Sequence, residues 1–391
     1  MDQKINSDFF KWFHQNFDRL PKDWGDLILD DGLPPCVVDG NGDLCKLDGA
    51  PIVKTSDFEY ILEHQTNIRS RVKLEDMYNL IDNNEEEFLE KDFAALINGF
   101  RFRYNLHFYN GGILGSVGRK INNDIRPLSS SGLPNDIIME LFHKKSGILA
   151  FVGATGSGKS STMLSALNEM VEEPLHIVTL EDPIEGVLSN SRIARIRQRQ
   201  IGEDTRSFYT GLRAALREKP HIIVVAEIRD AKTAEAAMKA AISGHLVITT
   251  IHANTCAEAP RRIIDLFPPE LQPAMRNMLA DTFVGFVAQK LVKRIGGGRV
   301  LAYEIMNRNN DGIVINIKKG DFDDLSNNIF SDHEKTKMNL MEQSLANLFV
   351  KGIISEEEAT SNAPNKERFK NACNILKGVG NKQAAPFGKK L

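Results

Sequence analysis

The octapeptide Gly153-Ala154-Thr155-Gly156-Ser157-Gly158-Lys159-Ser160 constrains this chain more than any other stretch of it. It meets the pattern G-x-x-x-x-G-K-[ST] at every fixed position. Its glycines let the backbone curl until consecutive N–H groups point inward at phosphate oxygens. An apolar run, Ile148-Leu149-Ala150-Phe151-Val152, leads straight into the loop, and a helix-compatible stretch, Ser161 to Met170, follows it. Strand, loop and helix in that order place an anion at a helix N-terminus, where the partial positive charge favours it. The expected ligand is ATP with Mg²⁺. Gly153 through Ser161 form the cradle, Lys159 bridges the β- and γ-phosphates, and Ser160 ligates the metal.

Hydrolysis also needs a carboxylate near the metal and the attacking water. The segment His221-Ile222-Ile223-Val224-Val225-Ala226-Glu227 reads as a buried strand ending in an acid. Ligands bind at the carboxyl edge of a parallel sheet, so Glu227 is a candidate catalytic and metal-contacting residue. The plainer alternative is a surface carboxylate at a strand end. A second run, Ile177-Val178-Thr179-Leu180-Glu181-Asp182-Pro183-Ile184-Glu185, also follows an apolar strand. There Glu185 is the candidate general base or metal contact, with Glu181 and Asp182 shaping the metal shell. A solvated acidic turn is the competing reading. A third strand, Gly244 to Asn254, carries His245 at its start and His252 at its carboxyl end, a place for a γ-phosphate sensor.

The 391 residues suggest two domains. At 42% hydrophobic and 26% charged the composition is globular, which excludes a chain disordered throughout. No apolar run approaches the roughly 18–20 residues of a membrane span, and the first residues lack a signal-like segment, so a cytoplasmic protein is expected. Cys36, Cys45, Cys256 and Cys373 show no C-x-x-C spacing, which supports neither a zinc site nor a disulfide framework. Seven arginines between Arg192 and Arg217, with Arg229, Arg261 and Arg262, suggest charge compensation for transferring phosphate; for most of them ordinary surface ion pairing is the plainer reading, and a nucleic-acid track along 192–217 is the alternative. A net charge of −3 weighs against nucleic acid as the main partner, and no direct nucleic-acid contact is expected.

Within residues 1–20 the aromatic spacing predicts an amphipathic helix, and short strands with Gly/Asp turns follow. Residues 74–92 read as helical and Phe93 to Phe108 as strand, so the first domain, 1–120, is α+β. Residues 121–136, rich in Pro, Ser, Asn and Gly, have linker composition. Alternating helical and strand-like segments over 137–376 predict an α/β domain with a largely parallel sheet, and 377–391 a disordered tail.

Taken in order, four motifs resemble the secretion ATPase superfamily of type II secretion, type IV pili and type IV secretion. They are the glycine loop, Leu-Glu-Asp-Pro-Ile-Glu, Ala-Glu-Ile-Arg-Asp after Leu-Arg-Ala-Ala-Leu-Arg-Glu-Lys-Pro, and Gly-His-Leu-Val-Ile-Thr-Thr-Ile-His-Ala-Asn. The first-domain segments Gly-Asp-Leu-Ile-Leu-Asp-Asp-Gly-Leu-Pro-Pro and Arg-Phe-Arg-Tyr-Asn are similar to PilT-type retraction ATPases. The resemblance implies a PAS-like N-terminal α+β domain followed by a RecA-like P-loop ATPase domain. It also implies a homohexamer that hydrolyses ATP at the cytoplasmic face of the inner membrane, held there by a platform protein of a pilus or secretion machine. By position, Glu185 and Glu227 are the catalytic glutamates and His245 and His252 the histidine pair. Arg101, Arg103 and Arg119 are first-domain arginines that approach nucleotide or a neighbouring subunit.

The implied work is type IV pilus retraction, with type IVB secretion or conjugation as the alternative and a RecA-like nucleic-acid motor behind both. The chain departs from the pattern in three places. Ala226 stands where Gly is usual. An Arg usual after Arg-Phe-Arg-x-Asn is replaced near Asn110–Gly111. Gly312 to Lys319 keeps the apolar spacing of the Ala-Ile-Arg-Asn-Leu-Ile-Arg-Glu motif but not its charges. A four-cysteine zinc module is absent, which favours the retraction-like or type IVB branch.

Overall fold

The computed structural model describes residues 7–21, 24–40, 42–65, 73–75, 78, 90–121, 125–331 and 333–378. The chain divides into two units, Met1–Asp124 and Ile125–Leu391.

The first unit is built on a six-stranded antiparallel sheet in the order β3-β2-β1-β6-β5-β4. Its strands are β1 (Asp26–Asp30), β2 (Cys36–Val38), β3 (Leu44–Lys46), β4 (Glu90–Ile97), β5 (Phe100–Tyr109) and β6 (Ile113–Ile121). Burial alternates along β1 and most of β5, as one covered face requires. Asn98 and Gly99, both at positive φ, close the β4–β5 hairpin in the two-residue turn that matches strand twist. Helices Asp8–Asn16 and Thr55–Glu63 supply Phe9, Phe10, Phe13, Phe58 and Ile61 to one aromatic core with Trp24, Phe102 and Tyr104. Ser7 ties the two helix starts together: its Oγ accepts the Phe10 N–H at 2.9 Å and donates to Asp57, which also accepts the Lys54 N–H at 2.8 Å.

The second unit carries a seven-stranded sheet in the order β13-β12-β7-β11-β10-β8-β9. Its strands are β7 (Gly147–Val152), β8 (His176–Glu181), β9 (Arg195–Gln200), β10 (Ile222–Val225), β11 (Leu246–Ile251), β12 (Phe283–Lys293) and β13 (Arg299–Asn307). All neighbours are parallel except β12 and β13. Strands β7, β10 and β11 are buried along their whole length, the continuous apolar pattern of a sheet covered on both faces. Alternation sorts their side chains between two cores. Ile148, Ala150 and Val152 join helices Phe208–Ala215, Ala231–Ile242 and Gln272–Thr282, while Leu149 and Phe151 meet helix Lys159–Glu169. Both sheets give the mixed α/β architecture expected, with a RecA-like second unit.

Two local expectations change. From Ile125 the segment read as linker is packed: Leu128 and Leu133 are buried in the second unit's core, and the Leu128 N–H donates to Glu169 Oε1 at 2.9 Å. Two leucines outweigh the polar composition around them; residues 122–124 lie outside those described. Glu90–Asp92 begin β4 because they pair with Asn105, Leu106 and His107, although their charges read as helical. The rest of that expected helix at 76–77 and 79–89, and the tail at 379–391, lie outside the described residues. Among those described, no helix is long and apolar enough to cross a membrane.

Candidate active site

Because five neighbouring strands run parallel from β7 to β9, whatever follows β7, β8, β10 and β11 emerges at one sheet edge. The glycine loop follows β7. Gly153 sits at φ +149°, and a Cβ there would lie 2.5 Å from Ser157 Oγ and 2.6 Å from the Gln289 carbonyl oxygen, so only glycine fits. Gly158, left-handed, caps the helix that begins at Lys159. Lys159 is only 7% exposed, and its Nζ donates to the carbonyl oxygens of Gly153 and Ala154 at 2.7 and 2.8 Å. Burial lowers its pKa, while the charges of Glu185 and Glu227 push it back up. Both carboxylates follow strands whose carboxyl ends share the sheet edge from which the loop emerges.

After β10, Glu227 is half-buried and Glu227 Oε2 accepts from Arg229 Nε and Nη2, both at 2.8 Å. Its Oε1 lies 3.7 Å from His252 Nε2, which arrives from the end of β11. Thr250 Oγ1 donates to the Ala226 carbonyl at 2.6 Å and so locks the two strand ends together. After β8, Glu181 and Glu185 part company. Glu181 is buried and accepts from Thr179 Oγ1 at 2.5 Å and Gln198 Nε2 at 3.0 Å. Burial raises its pKa; those two groups and the Glu185 backbone N–H lower it. It braces the turn instead of facing solvent. The Glu185 carboxylate is exposed. Asp182 is also exposed, 3.6 Å from Arg229 Nη1, and precedes a cis proline.

The chain matches the family model "Type II/IV secretion system protein" over residues 117–311. It is 34% identical over 350 residues to the type IV pilus retraction ATPase PilT of Pseudomonas aeruginosa, a match spanning 88% of this chain and 95% of the relative. The chain belongs to the PilT-like secretion ATPases. As a member of that family it is an ATP hydrolase. The crystal structure of the pilus retraction motor PilT with bound ADP aligns with a TM-score of 0.79 at 32% identity, covering 93% of this chain and 98% of that one. The ATPase DotB of Legionella pneumophila aligns at 0.73 and 26% identity, covering 97% and 98%.

In this ATPase the loop, Glu185, Glu227 and His252 come to one edge. His245 does not: it precedes the six residues of β11, about 20 Å from the other end at about 3.3 Å per residue. Its Nδ1 lies 3.1 Å from the Ala240 carbonyl and 3.2 Å from Ser243 Oγ, at the end of helix Ala231–Ile242. Arg101, Arg103 and Arg119 lie in the first unit on one sheet face, since Arg103 pairs with Arg119 and Arg101 is two residues along β5. Arg119 forms a two-point pair with Asp26 at 2.8 and 3.1 Å, and Arg103 meets Asp92 at 3.3 Å. Sequence reasoning passed over Arg229 as an ordinary surface arginine; its place two residues after the strand-end acid was the available signal. It gave no weight to Thr250 or Gln289.

Proposed function

We propose that this ATPase is the motor of type IV pilus retraction, working as a homohexamer docked on an inner-membrane platform protein at the cytoplasmic face. One observation carries the reading: a phosphate loop, an accessible glutamate and a half-buried glutamate beside a histidine gather at one edge of the parallel sheet. Lys159 leaves the Gly153 and Ala154 carbonyls for the β- and γ-phosphates of ATP. Glu185, exposed to solvent, orients and deprotonates the attacking water. Glu227, steadied by Arg229, and His252 face the γ-phosphate. Mg²⁺ neutralises phosphate charge when bound, and Ser160, Glu227 and Glu185 offer the oxygen donors it prefers. Arg101, Arg103 and Arg119 serve a nucleotide or a neighbouring subunit.

The second reading, type IVB secretion or conjugation, draws on the helix Asp311–Lys319. Ile313 and Ile317 are buried as the apolar spacing requires, but the outward Ile315 is 48% exposed where the retraction motif carries polar residues. Deletion in the native host separates the readings: excess surface pili without twitching supports retraction, and lost secretion with normal pili overturns it. Turnover measured against protein concentration, with sizing of the same samples, tests the ring. A rise to a plateau supports a site completed between subunits, and a fully active monomer overturns it. Turnover stimulated by DNA would revive the nucleic-acid motor.

A further inference from the structure

Where β12 passes the glycine loop, Ala288 pairs with Val152, so Gln289 arrives beside Gly153. Gln289 is 2% exposed. Its Nε2 donates to Thr162 Oγ1 at 2.7 Å, a contact between residues 127 apart in sequence. Thr162 closes the first turn of the helix that starts at Lys159, its own N–H bonded to the Gly158 carbonyl at 3.0 Å. The Gln289 carbonyl oxygen and Ser157 Oγ meanwhile crowd the same point above Gly153. One residue from a distant strand therefore abuts the loop where it leaves β7 and holds the helix where the loop ends. Gln289 Oε1 and Ser157 Oγ are both buried and have no hydrogen-bond partner among the described residues. Buried polar atoms without partners are costly, and an apolar residue of similar shape would fill this space without that cost. The amide is kept for what it positions.

We propose that Gln289 is a positioning residue of the nucleotide site, fixing the spacing between the root of the phosphate loop and the first turn of its helix through Thr162. The proposal rests on the ATPase reading. A cradle held at the wrong spacing binds ground state and transition state equally poorly, so affinity is lost before turnover.

The test uses the full chain, with ATP in steady-state kinetics and ADP in calorimetric titration. Gln289→Leu should raise the KM for ATP and the Kd for ADP about tenfold, with kcat within about threefold of wild type, the cost of one buried hydrogen bond. Thr162→Val should do the same, and the double variant should be no worse than either alone, since both remove one contact. Thr162→Ser, which keeps the hydroxyl, should recover most of the affinity. If Gln289→Leu does not fold, Thr162→Val against Thr162→Ser decides alone. Variants with lowered Tm but unchanged KM and Kd would make the contact merely structural and overturn the proposal. Wild-type protein that binds no ADP would overturn the nucleotide reading itself, a result visible before any variant is made.

Discussion

The two edges of the parallel sheet carry similar residue types and use them differently. At the amino edge a cavity of about 670 Å³ is lined by Lys144, Lys145, Asp281 and Arg308, among others. Most of its charged groups are tied into the fold. Arg308 Nη1 donates to the carbonyls of Ala280, Asp281 and Phe283, Lys318 pairs with Asp281 at 2.8 Å, and Lys144 with Glu140 at 3.1 Å. His245 is spent on the Ala240 carbonyl in the same way. At the carboxyl edge Lys159 rests on two loop carbonyls and Glu185 is exposed. The difference follows from helix polarity. Helices in this layer arrangement end at the amino edge, where orphan carbonyls claim donors such as Arg308 and His245. They begin at the carboxyl edge, where free N–H groups call for an anion from outside. Cavity size does not find the site; the glycine loop and the strand-end carboxylates gathered at the carboxyl edge do.

The sharpest way to break this comparison is to remove a lysine from each edge. Lys159→Ala should lower kcat/KM by about 10³-fold, as expected for a donor aimed at charge that develops on phosphate. Lys144→Ala and Lys145→Ala should stay within about twofold, because both are exposed at the far edge and the Lys144–Glu140 pair contributes little. Comparable losses from both edges would end the argument. Next in size, Glu185→Gln should cut kcat by about 10²-fold or more while ADP still binds. Glu181→Gln, four positions earlier, should instead lower Tm, because its amide would face the Thr179 and Gln198 donors that now meet a carboxylate. Smaller still, His252→Ala should reduce kcat about tenfold, the equivalent of about 1.4 kcal/mol. His245→Ala should leave kcat within about twofold and show its effect in thermal melting. Equal kinetic losses from the two histidines would mean that His245 acts on the site despite its place.

The same contrast marks how far the sequence could be read. Strand-end acids were legible because a parallel sheet sends every carboxyl end to one edge, so Gly153, Glu185, Glu227 and His252 could be gathered without coordinates. His245 and His252 were placed at opposite ends of one strand, but the motif that holds both led them to be read as a pair, and the length of β11 divides them. Glu181 and Glu185 share a turn, and no local pattern says which one is buried. Leu128 and Leu133 were hidden among turn-forming residues. Gln289 carries no local signature at all, because its meaning lies in a partner on another element.

A third carboxylate tests the rule from inside. Glu304, on β13 opposite Ala288, stands near the carboxyl edge but is 1% exposed. Its Oε1 accepts the Cys256 N–H at 2.8 Å and its Oε2 the Met341 N–H at 3.3 Å, so its capacity is spent, as at the amino edge. Burial, and after it the charge of Glu342, push its pKa from 4.5 to about 7 against the pull of those two donors. A carboxyl whose folded pKa is raised binds its proton more tightly in the fold than in the unfolded chain. Its contribution to stability is therefore full below about pH 4.5 and lost as pH rises through about 7. The Cys256 thiol facing it is pushed up by the same burial and stays neutral in that window, while Glu342, also raised, works in the same direction. Wild type should accordingly lose a few degrees of Tm relative to Glu304→Gln between about pH 5 and 7.5, with kcat at fixed pH little changed. A wild type that instead gains on Glu304→Gln with rising pH would mean that the two backbone amides outweigh burial. Glu304 would then be a carboxylate held ionised at the carboxyl edge, and burial would no longer separate it from Glu185 and Glu227.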